Sequence, residues 1–383
     1  YGWQRTLIAP LPPNPTPDEV ERNERTLELV NYQWHYALHD ANDVPRRGLV
    51  AALCRAAVDY SLLPDSYVFG LARTLFFTGA RTAYFLGECS EHGWRGFFPL
   101  VFLIKTPLAS LLLMFAGIAA VWCTRARAGD ALLFTGAAAF IVIYGGYLIA
   151  SNVNLGHRHL LPLYPLLYAL AGGAAAWLST RLGRTLVAAA ATWLVAANLW
   201  IHPHYLSYFN ELIGGPARGH EYVVDSSLDW GQDLVRLGQY ARAHNEPVYL
   251  AYFGCAEPQR YLQFSALPSF VDIGEVANPG PGLYVISATQ LVGLYTEHIR
   301  AAFWNERALA TLRMLETVAE SPPAETEPTD AAARREQVIA ELPEWRARLL
   351  ISRLRDRKPE DRIGWSMFVY RLDADEVQRL TRP

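Results

Sequence analysis

Four stretches of the chain read as apolar runs: 97–123, interrupted by Lys105, then 131–150, 160–178 and 185–201, which carry no charge. Crossing about 30 Å of hydrocarbon takes about 20 apolar residues. Each run therefore predicts a membrane-spanning helix. The Gly and Pro inside them (Gly145, Gly146, Pro162, Pro165, Gly172, Gly173) are better tolerated in lipid than in water. The competing reading is four buried helices of a soluble protein. Four such runs within about a hundred residues argue against it.

The short loops set an orientation. TRARAGD after the first run carries Arg125 and Arg127, and STRLGR after the third carries Arg181 and Arg184. Arg-rich short loops stay in the cytoplasm, so 125–128 and 181–184 are expected inside. SNVNLGHRH between the second and third runs then faces outward, as do 1–96 and everything after Ile201, including His220 and Asp330.

The flanks alternate differently. Pro10–Pro17 is a Pro-rich linker, Asp18 caps a predicted helix to about Asp40, and a second helix covers 46–60. Segment 64–78 is aromatic and apolar on one side, as if lying on a membrane surface or packing on further spans. After Ile201, strands are predicted at 222–225 (YVVD), 247–253 (PVYLAYF), 282–287 (GLYVIS) and 365–372 (WSMFVYRL). Helices are predicted at 229–244, 288–303 and 331–355, with a polar loop at 321–330. Strands alternating with helices predict an α/β sheet domain. The expected fold is a polytopic α-helical membrane protein with a C-terminal soluble α/β domain: 1–96 an extracytoplasmic helical region, 97–201 four transmembrane helices, 202–383 an extracytoplasmic α/β domain.

Composition agrees. Of 383 residues, 51% are hydrophobic and 19% charged, against about 25% charged in ordinary soluble domains. A net charge of −3 gives no footprint for nucleic acid. Cys54, Cys89, Cys123 and Cys255 form no CxxC pair, so neither a zinc site nor a redox motif is signalled. Cys123 is expected to be a small buried residue. The chain starts at Tyr1 without an initiator Met and is read as a fragment or a processed chain.

Candidate chemistry gathers at three places. In NLGHRHLLPLYP, Arg158 stands at the outer mouth of the third run between His157 and His159. A guanidinium there offers a planar fork of donors suited to phosphate, although an Arg snorkelling at a helix end looks the same. HRH alone is a weak metal pattern. Lys105 lies about 12 Å along its helix from Phe97 at 1.5 Å per residue. An ionisable group inside a span is functional by default, with snorkelling the alternative. In VDSSLDWGQDL, Asp225, Asp229 and Asp233 recur every four residues. They form either an acidic metal or sugar site, or a helix start with Asp229 as N-cap and Gln232 completing a capping box. HPHYLSYFNE (202–211) reads as an interface belt or a sugar cradle, and Glu88 and Glu91 as solvated loop carboxylates or acids.

LGECSEHGWRGFFPLVFLIKTPL, NLGHRHLLPLYP and HYLSYFNELIGGPARGHEYVVDSSLDWGQDLVRLGQY together resemble the C-terminal half of bacterial family 39 glycosyltransferases. These depend on a phospholipid carrier and are related to protein O-mannosyltransferases and aminoarabinose transferases. The likeness runs from about Pro64 to Gly254. It implies a C-type glycosyltransferase fold in the bacterial inner membrane, multi-pass, with the soluble parts periplasmic. It further implies an inverting transfer from a polyprenyl-phosphate-linked sugar to a protein, lipid or glycan acceptor. Lys105 and Arg158 match positions suited to the carrier phosphate; His159, Asp225 and Asp229 are the remaining substrate-binding candidates. The implied base, an Asp in the first outer loop, is expected before Tyr1, so the catalytic residue is unassigned and the chain alone is expected to be inactive. No cofactor is required; a divalent metal stays open. The runner-up readings are a polytopic transporter or lipid flippase with an external domain, and a membrane scaffold whose outer domain binds a partner.

Overall fold

The computed structural model describes residues 82–124, 128–321 and 329–383, with scattered positions between 53 and 70. The linker at 10–17, the helices expected at 18–40 and over most of 46–60, most of 64–78, Cys54, Arg125 and Arg127, and most of the loop at 321–330 lie outside the described residues. The chain divides into two compact units, residues 1–81 with 91–93, and residues 82–90 with 94–383. The second carries everything that follows.

It opens on a hairpin, β1 (Ala83–Phe85) and β2 (Glu88–Ser90), paired antiparallel. The hairpin buries Tyr84 and Phe85. Apolar helices follow: α1 (Phe97–Lys105), α2 (Leu108–Thr124), α3 (Ala128–Ala150), α4 (Tyr164–Gly172) and α5 (Arg181–Ile201). A 3-10 turn precedes α4 and another follows it, so that His157–Ser179 is a single helical stretch of 23 residues. Among the described residues two helices, His157–Ser179 and Arg181–Ile201, are long and apolar enough to cross a membrane, and three if the bent pair α1 and α2 counts as one.

That bend corrects the expected first span. Thr106 turns to extended backbone at ψ 131°, because the ring of Pro107 pushes the preceding residue out of the helical region. The two helices then diverge by 106°. Asn210 covers the carbonyls left open at the break. Its backbone N–H donates to Ile104 O (2.9 Å), and its Nδ2 donates to Leu103 O (2.5 Å) and Thr106 O (2.8 Å). Helices α2 and α4 approach backbone to backbone: a Cβ on Gly117 would stand 2.0 Å from Leu170 O. Small residues permit such contact between apolar helices. Outward faces stay apolar, with Phe115, Val142, Ile143 and Leu199 each more than 70% exposed. Continuous apolar surface of this kind marks contact with lipid or with other helices. Cys123, expected buried, is exposed.

The sheet has the order β4-β3-β5-β7-β6, with β3 (Val248–Ala251), β4 (Ser265–Ala266), β5 (Gly282–Ser287), β6 (Asp361–Ile363) and β7 (Met367–Leu372). Strands β3, β4 and β5 are parallel; β7 is antiparallel to β5, and β6 to β7. Side chains alternate across it. Tyr284, Ile286, Phe368 and Tyr370 enter the core shared with α1 and with Leu350 and Ile351 of α8 (Thr329–Leu354). Leu283, Val285, Met367 and Val369 face the opposite way, toward Leu234 and Leu237 of α6 (Leu234–His244). The helices α7 (Glu306–Glu320) and α9 (Ala374–Thr381) complete the domain.

Three elements differ from expectation. Segment 222–225 is not a strand, because Gly219–Tyr222 is helical and Asp225–Ser227 is a 3-10 turn. Helix α6 begins at Leu234 with Asp233 as its N-cap, so Asp229 does not cap it. The expected helix 288–303 reduces to Ala288–Leu291 and two 3-10 turns.

Candidate functional site

In open α/β sheets, ligands bind beyond the carboxyl ends of the strands, where the connections reverse direction. Here β3 leads to β4 on one side and the chain returns to β5 on the other, so the crevice lies between the ends of β3 and β5. The segment 225–232 of the same chain fills it. The backbone N–H of Asp225 donates to Thr289 Oγ1 (3.1 Å). Asp229 is fully buried and accepts from the N–H groups of Gly231 (3.1 Å) and Thr289 (3.5 Å). Gln232 folds back, accepting from Trp230 N and donating to Leu228 O.

The HRH turn docks on the same segment. Gly156 has φ +145°, and a Cβ there would lie 2.3 Å from Ser226 Oγ, so glycine is needed for the close approach. Ser226 Oγ donates to Leu155 O, and His157 N donates to Ser227 Oγ (3.1 Å). From the other side comes Lys105, buried, donating to Ser227 O and Leu206 O at 2.6 Å each. Its ammonium stands 4.3 Å from the Phe209 ring centroid. Two of its three N–H groups are thus held by backbone carbonyls. Lys105 and the HRH turn meet through Ser227, one on its carbonyl and the other on its hydroxyl. Beneath the turn, Tyr164 OH lies 2.6 Å from both His157 Nε2 and Thr106 Oγ1.

Arg158 points outward. It is exposed, its guanidinium lies 5.8 Å over the Trp230 ring, and among the described residues no carboxylate pairs with it. His159 is half-buried, edge-on to Phe98 at 6.3 Å, and its carbonyl accepts from Tyr144 OH. Asp225 sits in the left-handed region at φ +55°, which Asp adopts more readily than most residues. One of its oxygens accepts from Tyr295 OH at 2.6 Å. An aromatic shelf continues from there: Trp230 on Phe253 (6.0 Å), Phe253 on Tyr295 (5.8 Å) and Phe270 on Tyr295 (4.5 Å).

Burial dominates the electrostatics. It pushes the Asp229 carboxyl up to about 7, against the pull of the Gly231 and Thr289 N–H groups; Asp233 and Asp225 push it further up. Burial also raises Asp233, although Ser366, His204 and Arg236 surround it and pull the other way. Among the described residues no group of three His, Cys, Asp or Glu side chains is placed to hold a metal ion.

Of the residues singled out from sequence, Lys105, His159, Arg158, Asp225 and Asp229 all fall within this region. Trp230, Phe253, Phe270, Tyr295, Ser227 and Asn210 were not singled out. Trp230 had a signal, as a Trp inside a polar Asp- and Gly-containing loop. Phe270 and Tyr295 had none, since only the sheet brings them there. Comparison with known proteins gives no match: no family model, no curated protein and no solved structure matches the chain.

Proposed function

We propose that this chain acts as a membrane glycosyltransferase that takes a sugar from a polyprenyl-phosphate carrier and delivers it to an acceptor at the outer membrane face. One observation carries the reading. Arg158 stands exposed at the start of an apolar, span-length helix, over the Trp230 ring and next to an aromatic shelf with a buried acid. The guanidinium fork suits the carrier phosphate, and its charge stabilises the negative charge that develops as the phosphate departs. The flat aromatic faces suit a sugar ring. Lys105 acts behind Arg158 by holding Ser227, on which the HRH turn rests. The family likeness drawn from the sequence supports the same reading, including inversion at the anomeric carbon and a polytopic inner-membrane location.

The decisive experiment substitutes Arg158 in the full-length protein. Arg158→Ala should weaken capture of a polyprenyl phosphate in micelles about tenfold to a hundredfold, the value of one charge-assisted contact. Arg158→Lys should recover little, because it keeps the charge and loses the fork. Wild-type capture by Arg158→Ala refutes the reading. Sidedness has its own test, in a background free of native cysteines. Glu257→Cys should label from outside the cell, and Arg184→Cys only after permeabilisation, by the asymmetry of Arg in the short loops. The reverse pattern overturns the orientation.

A second reading, a transporter or lipid flippase, is favoured by the broken helix pair α1 and α2, since discontinuous helices line transport sites. Against it, Asn210 occupies the carbonyls that a transported ion would need.

A further inference from the structure

Beyond the aromatic shelf lies a cleft of about 510 Å³, within the usual range of about 300–1,000 Å³ for small-ligand sites. One wall is the loop that follows β4, one is the turn around Tyr295, and the third is α8. Its surfaces are of two kinds. Phe270 is 54% exposed yet held in place, its ring 4.5 Å from Tyr295, whose hydroxyl is bonded to Asp225. It presents a preorganised aromatic face rather than a mobile side chain.

Three of the remaining groups are carboxylates, Asp272, Glu297 and Glu344, and His298 and Arg348 line the cleft with them. Asp272 spends one oxygen on Gly274 N (2.9 Å), and Glu297 is loosely paired with Arg300 at 3.8 Å. Glu344 is paired with Arg348, whose buried Nε has no partner among the described residues. Each carboxylate keeps lone pairs for further donors, and Arg348 keeps one donor. Asp272, Glu297 and Glu344 against Arg300 and Arg348 leave one carboxylate in excess, which disfavours an anionic ligand.

A ligand with one apolar flat face, a rim of hydroxyl donors and no negative charge fits this combination. We infer that the cleft binds a carbohydrate, uncharged or amino-substituted, with one ring stacked on Phe270 and its hydroxyls on the carboxylates. The inference deepens the proposed function by making a glycan the acceptor, and it rests on that reading for the word acceptor alone.

The test is a saturation-transfer NMR titration of the full chain in a detergent without a sugar headgroup. The probes are mannobiose, cellobiose, chitobiose, chitosan dimer and digalacturonic acid. At least one of the first four should bind, and digalacturonic acid should not. Phe270→Ala should weaken that binding about tenfold, the upper value of an aromatic contact, while Phe270→Tyr retains it. Phe270 is exposed, so neither variant threatens the fold. No transfer to any of the first four probes overturns the inference, as does binding that Phe270→Ala leaves unchanged. Carrier-phosphate capture by the same samples separates the two ideas. Sugar binding absent with capture intact removes this inference alone, and capture unaffected by Arg158→Ala with sugar binding intact removes the proposed function alone.

Discussion

Lys105→Met should lower the unfolding free energy of the chain in micelles by about 2–6 kcal/mol, whereas Arg158→Ala should leave it almost unchanged. The difference follows from what each cation touches. Lys105 is buried and donates to Leu206 O and Ser227 O. Methionine fills the same volume but donates nothing, leaving two carbonyls without a partner at about 1–3 kcal/mol each. Arg158 is exposed, and among the described residues its contact is with the Trp230 ring, so its loss leaves no buried group of those residues unpaired. Reversible unfolding followed by far-ultraviolet circular dichroism reads the effect directly. A Lys105→Met protein as stable as wild type shows that the two carbonyls find other donors, and with them goes the view of Lys105 as the pin between α1 and the Ser227 segment.

The same contrast shows how far sequence reading reaches. Strand β5 formed over the residues expected, because GLYVIS is a continuous apolar run between turn residues, as a strand buried on both faces must be. The long charged helix near 331–355 was legible from composition. The break after Lys105 was not read, although its cause is local: Pro107 forces Thr106 out of the helix. The start of α6 was misplaced for a subtler reason. Asp229 and Gln232 have the spacing of a capping box, but Asp229 is drawn to the N–H of Thr289, 60 residues away, and tertiary contact won over local pattern. The region around Arg158 and Asp225 was legible as motifs. Its aromatic shelf was not, because Phe253, Phe270 and Tyr295 come from three connections that only the sheet order brings together.

The position of segment 225–232 also explains why the sheet and a set of apolar helices share one core. The crevice at the ends of β3 and β5, open in many α/β proteins, is here a socket for the chain that leaves α5. Lys105 and the HRH turn then grip that segment from the helical side. Arg158 and the aromatic shelf are thereby fixed relative to one another by hydrogen bonds to a single turn. Such support is what a binding constellation requires of the groups behind it.

Asp229 gives the second large expected effect, on stability as a function of pH. Its carboxyl is pushed up to about 7 in the folded chain, from 3.8. Between those values the folded state holds a proton that the unfolded state has released. Stability from this group is therefore full below about 3.8 and is lost as pH rises through about 7. Three units at about 1.36 kcal/mol each set an upper bound of about 4 kcal/mol. Asp233, also raised by burial, acts in the same direction. His220 opposes both: burial lowers it to about 4 from 6.5, with the Arg362 guanidinium pushing the same way, so its contribution grows as pH rises from about 4 to 6.5. The wild-type profile sums these slopes, and the difference between Asp229→Asn and wild type isolates one of them. Asparagine stays neutral at every pH and can still accept from Gly231 N. The variant should therefore match wild type near pH 4 and become progressively more stable than it toward pH 8, read as melting temperature at each pH. A variant that is less stable than wild type at pH 8 means that the folded chain holds Asp229 ionised, stabilised by the Gly231 and Thr289 N–H groups more than burial opposes it.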